Sequence, residues 1–172
     1  PPARVVIQHA SNVNGVVQDL AAVRRAFPES PILVDAAQTA GVLPLDVGVL
    51  GVDFLAASVH KGLLGPTGVG VCYLGRGYDV SPLLEGGTGS GSDSTLHPDF
   101  RPDRYEAGTL NLHGIAGTRG ALAGLDERGL LGERKRGLTK MLVDGLDEIA
   151  AVAVHSPRDG SALCVLFTVD TV

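Results

Sequence analysis
The sequence predicts an open α/β fold built on a mainly parallel sheet. Short apolar, β-branched runs recur through the first half of the chain, and a helical stretch separates the first two. Two of these runs end in a charged residue, where an open sheet exposes its carboxyl edge.

Residues 5–8 (Val-Val-Ile-Gln) read as a short buried strand. Asn14-Gly15 marks a turn. The stretch 16–27 then carries Val17, Leu20, Ala21 and Val23 at helical spacing, and Pro28 ends it. A second strand covers 31–35 and ends in Asp35. A connector over 46–51 leads to a third strand at 53–58, and 69–74 is a fourth, β-branched and apolar. From 75 to 102 regularity fades into Gly, Ser, Asp and Pro, and a connector of that length is usually functional or disordered. Residues 112–125 predict a helix rich in small residues. Residues 134–152 predict another, with Leu138, Met141, Leu142, Leu146 and Ile149 at helical spacing. Ser156-Pro157-Arg158-Asp159-Gly160 is a turn between two short strands, the second over 163–169. The change near Ala150 reads as a domain boundary that separates 1–150 from 151–172.

The length fits one ordinary domain, and 44% hydrophobic against 19% charged residues is enough to bury a sizeable core. A net charge of −5 without any basic block argues against nucleic acid as a partner. No apolar run approaches the ~18 residues of a membrane span and no signal-peptide pattern opens the chain, so the default location is cytoplasmic. Cys72 and Cys164 both fall in apolar strand-like runs and read as reduced core residues. Neither has CxxC or Cys/His spacing, so no metal site is expected. Pro1-Pro2-Ala3-Arg4 runs at once into a strand, and the chain stops soon after another, which is the pattern of a piece of something longer.

Lys61 is the most informative residue. The other two lysines, Lys135 and Lys140, lie in a charged helical stretch, whereas Lys61 follows Phe54-Leu55-Ala56-Ala57-Ser58-Val59-His60 and precedes a glycine-rich turn. An ammonium at the mouth of a buried strand is costly unless it has a partner or a chemical task. Asp35 ends a companion strand, so both residues face the crevice at the strands' carboxyl ends. This pair suits pyridoxal phosphate: the lysine forms a Schiff base and the aspartate keeps the pyridinium nitrogen protonated. The alternatives are a surface loop lysine and an aspartate that starts a turn. The apolar strand before Lys61 and its separation from the other lysines weigh against the first.

His9-Ala10-Ser11-Asn12, Val34-Asp35-Ala36-Ala37-Gln38, Ser58-Val59-His60-Lys61 and Gly65-Pro66-Thr67-Gly68-Val69-Gly70 occur in that order. Gly86-Gly87-Thr88-Gly89-Ser90 and Arg104-Tyr105-Glu106-Ala107-Gly108-Thr109 follow. Together they resemble the class V aminotransferase family and, within it, the cysteine desulfurase and selenocysteine lyase branch. The resemblance implies a partial large domain of the aspartate-aminotransferase type (fold type I) over 1–150, with the first strands of an α+β small domain over 151–172.

It further implies that Lys61 is the catalytic residue and that pyridoxal 5'-phosphate is the cofactor. Lys61, Asp35, Gln38, Asn12, Ser58, His60 and Thr109 would bind that cofactor. Gln38 would meet its phenolic oxygen, with Asn12 near that oxygen or the substrate carboxylate. Ser58 and His60 would meet its phosphate, and Thr109 the phosphate of a partner subunit's cofactor in a homodimer. The Gly86–Ser92 loop would lie toward the same interface, and His9 reads as support. Either amide could instead satisfy loop backbone, and His60 could be a satisfied strand-end histidine. The implied substrate is cysteine or selenocysteine, converted to alanine. Cys164 lies mid-run and does not read as a mobile-loop nucleophile. Other class V chemistry (an epimerase, a lyase or an aminotransferase on another amino acid) and a non-catalytic truncated product stay open. The 172-residue chain alone is expected to be catalytically silent.

Overall fold
The computed structural model describes residues 4–91 and 94–170; Pro1–Ala3, Ser92, Asp93 and the last two residues lie outside the described residues. Four strands, β1 (Val5–Gln8), β2 (Ile32–Asp35), β3 (Phe54–Ser58) and β4 (Gly70–Leu74), form one sheet in the order β1-β2-β3-β4. β1, β2 and β3 run parallel, with Gln8 beside Asp35 and Asp35 beside Ala56. β4 is antiparallel to β3, pairing Ser58 with Gly70. The sheet is therefore mainly parallel, as expected, and β4 alone reverses because the connector 59–69 is too short for a crossover.

One sheet face carries the core. Ile32, Val34 and Ala57 pack with Leu20, Ala36, Ala40 and Val52, flanked by Val5, Ile7 and Leu55. Along β1 and β2 the residues between them face the other way, and Val6 is 73% exposed. Cys72 lies on β4 and is exposed, so it is not the core residue its apolar run suggested. β4 is an edge strand whose residues are almost all exposed, and composition does not reveal which apolar strand ends up at an edge.

The helix predicted over 16–27 is shorter, α1 (Leu20–Ala26). Residues 16–18 double back on the end of β1 instead: the Ser11 N–H donates to the Val16 carbonyl (2.9 Å) and the Gln18 N–H to the His9 carbonyl (2.8 Å). Asp19 then caps the helix by accepting from the Ala22 N–H at 2.9 Å. α2 (Leu112–Arg128) starts where expected, at Asn111, whose Oδ1 accepts from the Gly114 N–H at 2.9 Å, and runs a turn further to Gly129. α3 (Gly132–Asp147) ends before 152 because Val152 begins a second, two-stranded sheet, in which β5 (Val152–Val154) pairs antiparallel with β6 (Phe167–Val169). The strand predicted over 163–169 is reduced to β6, because residues 162–164 pack back on the 10–17 turn. There the Leu163 N–H donates to the Gly15 carbonyl at 3.0 Å, and Leu163 is buried with Ala10 and Val42.

A charged staple holds the amino ends of β2 and β3. The Arg24 guanidinium donates to the carbonyls of Phe27 (3.2 Å), Pro28 (3.1 Å), Ser30 (2.9 Å) and Gly51 (3.0 Å) and pairs with Asp53 at 2.6 Å. Asp53 also accepts from the Ile32 N–H (2.8 Å) and the Tyr78 hydroxyl (2.9 Å). Burial raises the Asp53 carboxyl, but the Ile32 N–H, the Tyr78 hydroxyl and Arg24 together outweigh it and hold the group below the ordinary value of 3.8.

The native chain thus binds the Asp53 proton less readily than the unfolded chain. The stabilisation is fully present above the unfolded pKa and is lost as pH falls through the folded one. Asp53→Ala is expected to lower unfolding free energy by about 2–3 kcal/mol at neutral pH. The variant should also show a flatter loss of stability below pH ~4. Urea denaturation of both proteins across that range checks this, and parallel acid profiles would show that the staple carries no such linkage.

Candidate active site
Three parallel strands deliver their carboxyl ends to one edge. Gln8, Asp35 and Ala56 are in register, and Ser58 lies two residues beyond Ala56, hence on the same sheet face as Asp35. The Asp35 carboxylate is exposed, and its Oδ1 accepts from the Ala37 N–H at 2.9 Å, which fixes it at the strand end. The chain then coils tightly: the N–H groups of Thr39 and Ala40 donate to the Ala36 carbonyl at 3.0 and 2.9 Å. That coil carries Gln38 past Asp35.

After β3 the chain turns around Val59, which is fully buried. The Val59 N–H donates to the Val69 carbonyl (3.2 Å), and the Gly65 N–H to the Val59 carbonyl (3.0 Å). His60 and Lys61 occupy the exposed crown of this turn, and the Leu64 N–H donates to the Lys61 carbonyl at 2.9 Å.

The Asp35–Gln38 turn and the Lys61 turn touch backbone to backbone. A Cβ on Gly41, which has φ +77°, would lie 2.2 Å from the Gly62 carbonyl oxygen; one on Gly62 would lie 2.3 Å from the Ala40 carbonyl oxygen. Only glycine at both positions permits this approach. The Gly41 carbonyl also accepts from the Leu131 N–H at 3.3 Å, which ties the start of α3 to the same point. On the other side α2 seats the Lys61 turn: Gly114 lies against Val69 and Gly117 against Pro66. Gly114 and Gly117 of α2 thus serve close packing.

Asn12 is exposed at the tip of the turn after β1. The Ser11 hydroxyl accepts there from the N–H groups of Val13 (3.1 Å) and Asn14 (3.3 Å). Thr109 is exposed just before α2, beside the glycine loop, where the Gly108 N–H donates to the Gly87 carbonyl at 2.7 Å. No hydrogen bond among the described residues joins Thr109 to the Asp35–Lys61 cluster. The glycine loop is itself held by side chains. Thr88 and Ser90 share a hydroxyl contact of 2.9 Å, Ser90 bonds Asp103, and His97 spans the Gly86 N–H (3.3 Å) and the Arg104 carbonyl (2.9 Å). The long irregular connector is thus a hydrogen-bonded loop. Cys164 is half-buried outside any strand, with its thiol 3.7 Å from the Ser11 carbonyl oxygen.

Among the described residues, the side chains of Lys61, His60, Ser58, Gln38 and Asn12 make no hydrogen bond or ion pair, and no buried side-chain nitrogen or oxygen lacks a partner. A free amine, an imidazole, a hydroxyl and two amides therefore stand uncommitted at or just past three strand ends, where an anchored carboxylate also lies. This donor set suits a ring that carries a carbonyl carbon, a basic nitrogen and a phosphate. Among the described residues no cluster of His, Cys, Asp or Glu could hold a metal ion. Sequence reasoning missed His9–Thr39 as a buried pair and Gly41–Gly62 as a contact. The only local signal for the latter was a glycine soon after each site residue.

An open α/β sheet with a lysine and an aspartate at its carboxyl edge is the architecture of the fold type I pyridoxal-phosphate enzymes. The chain belongs to the class V aminotransferase family: the family model "Aminotransferase class-V" matches residues 2–172. It is 36% identical over 163 residues to a probable cysteine desulfurase of Pyrococcus abyssi, which covers 90% of this chain and 40% of that protein. It is also 36% identical over 180 residues to probable cysteine desulfurase 2 of Mycobacterium leprae, covering 98% of this chain and 42% of that protein. The fold superposes on a cysteine desulfurase from Thermococcus onnurineus with a TM-score of 0.85 at 32% identity, over 99% of this chain and 45% of that one. A cystine C–S lyase solved with its product cysteine persulfide gives a TM-score of 0.80 at 27% identity, over 98% and 48%. The chain therefore spans less than half the length of these relatives. Class V aminotransferases and cysteine desulfurases are pyridoxal-phosphate enzymes.

Gly62→Ala is expected to force the two site turns apart, because its methyl would also meet Val42 at 2.6 Å. The expected destabilisation is about 1–3 kcal/mol by chemical denaturation. Gly120→Ala, in a helical position with open space around the added methyl, should raise stability by about 0.5–1 kcal/mol. Equal midpoints for the two variants would disprove the packing account.

Proposed function
We propose that this chain is the Lys61-bearing part of a pyridoxal-phosphate enzyme that removes sulfur or selenium from cysteine or selenocysteine and yields alanine. The observation that carries this reading is the juxtaposition of the Lys61 turn and the Asp35–Gln38 turn through Gly41 and Gly62, in a chain that aligns with cysteine desulfurases over nearly its whole length.

Lys61 would hold the cofactor through its amine, and that amine would carry the proton that moves at the substrate Cα. Asp35, held by the Ala37 N–H, keeps a proton on the ring nitrogen by a charge-assisted hydrogen bond. Gln38 would donate an amide N–H to the phenolic oxygen, and Asn12 to that oxygen or to the substrate carboxylate. Ser58 and His60 donate to the phosphate. Thr109 serves the second subunit of a homodimer. When bound, pyridoxal phosphate supplies the electron sink for charge left at Cα. The division into a cofactor-binding unit over 1–150 and the start of a small domain over 151–172, and a cytoplasmic location, belong to the same reading. Among the described residues no helix is long and apolar enough to cross a membrane. The likeness to a cystine C–S lyase favours a second reading, in which the substrate is a related sulfur amino acid cleaved by the same residues.

In the whole protein, Lys61→Ala is expected to abolish the visible, borohydride-reducible chromophore; its retention would refute the covalent role. Asp35→Asn is expected to retain cofactor while turnover falls by roughly 10²–10³. Steady-state assay of sulfide and alanine release checks this, and turnover within threefold of the parent would remove Asp35 from the proposed role.

A further inference from the structure
His9 follows β1 directly, is 7% exposed, and places Nδ1 2.9 Å from the hydroxyl of Thr39, which is completely buried. Its backbone extends the β1–β2 ladder, with the His9 N–H donating to the Asp35 carbonyl at 2.9 Å. Thr39 is the residue after Gln38, and its hydroxyl also lies 3.4 Å from the Ala36 carbonyl oxygen. The imidazole thus spans from the turn that bears Asn12 to the turn that bears Asp35 and Gln38. Burial pushes the His9 pKa below its ordinary value of 6.5, so at neutral pH the link is an uncharged hydrogen bond.

The Asn12 turn is internally stiff. Besides the Ser11 hydroxyl bonds, the Gly15 N–H donates to the Ser11 carbonyl (3.2 Å), and the Val16 N–H to Asn14 Oδ1 (3.2 Å). Its far side is pinned where the Gly15 carbonyl accepts from the Leu163 N–H. The turn is thus held as a unit between that pin and its base, and the buried side chain at the base is His9.

We propose that His9 is a positioning residue: its hydrogen bond to Thr39 sets the Asn12 turn against the Asp35–Gln38 turn, and so sets where both amides stand relative to the Asp35 carboxylate. This rests on the reading that those groups hold pyridoxal phosphate. Nothing in it requires His9 to touch the cofactor.

The test uses the whole protein loaded with pyridoxal phosphate. Thr39→Val removes the hydroxyl at nearly constant shape, Thr39→Ser restores it, His9→Leu removes the imidazole, and His9→Asn leaves a polar atom near the position of Nδ1. For each, the cofactor dissociation constant, the pH midpoint of the visible absorbance and the denaturation midpoint are measured. Thr39→Val and His9→Leu are expected to raise the dissociation constant roughly 3- to 10-fold, the effect of one lost hydrogen bond, and to shift the absorbance midpoint. Thr39→Ser and His9→Asn should remain close to the parent. If Thr39→Val and His9→Leu lower only the denaturation midpoint, with affinity and absorbance titration unchanged, the pair is structural and the proposal is overturned. The proposal also fails if the restoring variants behave like the disrupting ones. Absence of a borohydride-reducible chromophore in the unsubstituted protein would instead sink the cofactor reading, and this inference with it.

Discussion
The parallel alignment of β1, β2 and β3 governs the rest of the structure. Parallel pairing sends three carboxyl ends to one edge, and the register that sets Gln8 beside Asp35 and Asp35 beside Ala56 decides which side chains meet there. A slip of one residue would turn Asp35 into the apolar core and expose Val34, which is wholly buried. The register is therefore enforced by the burial of Ile32, Val34 and Ala57 on the opposite face, and the site inherits its geometry from the core.

The two ends of the sheet do different work. At the amino ends, Arg24 gathers four carbonyl groups and the Asp53 carboxylate, and Asp53 in turn holds the Ile32 N–H and the Tyr78 hydroxyl. The Arg24 and Asp53 charges are thus matched within the fold. At the carboxyl ends the side chains of Lys61, His60, Ser58 and Gln38 are left without partners among the described residues. Polar groups that the fold does not use internally are the ones available to a ligand, and these four lie at or just past the strands' carboxyl ends.

Placing these groups falls to backbone contacts. Gly41 against Gly62 and Gly15 against the backbone of Cys164 are approaches that no side chain would permit. Backbone is stiffer than side chain, so turns joined this way keep their separation when individual side chains move. The segment carrying Leu163 and Cys164 joins this scheme from far along the chain, which is why an apolar run that reads as strand is instead a packed irregular segment.

Much was legible in the sequence. The strand-end positions of Asp35 and Lys61 follow from two apolar runs and their terminators, and the family follows from ordered motifs. α3 follows from helical spacing of its apolar residues, and α2 from a run of small helix-compatible residues. Local pattern fixes these because strand burial and helical spacing are properties of consecutive residues. Other features were decided by tertiary structure alone: the reversal of β4, the diversion of residues 16–18 from helix into extended pairing, and the exposure of Cys72 on an edge strand. The same holds for the meeting of His9 with Thr39 and of Gly41 with Gly62. Each of these depends on which distant segment arrives alongside. The sequence thus determined which polar residues lie at and just past the strand ends, and long-range packing determined how they are held with respect to one another.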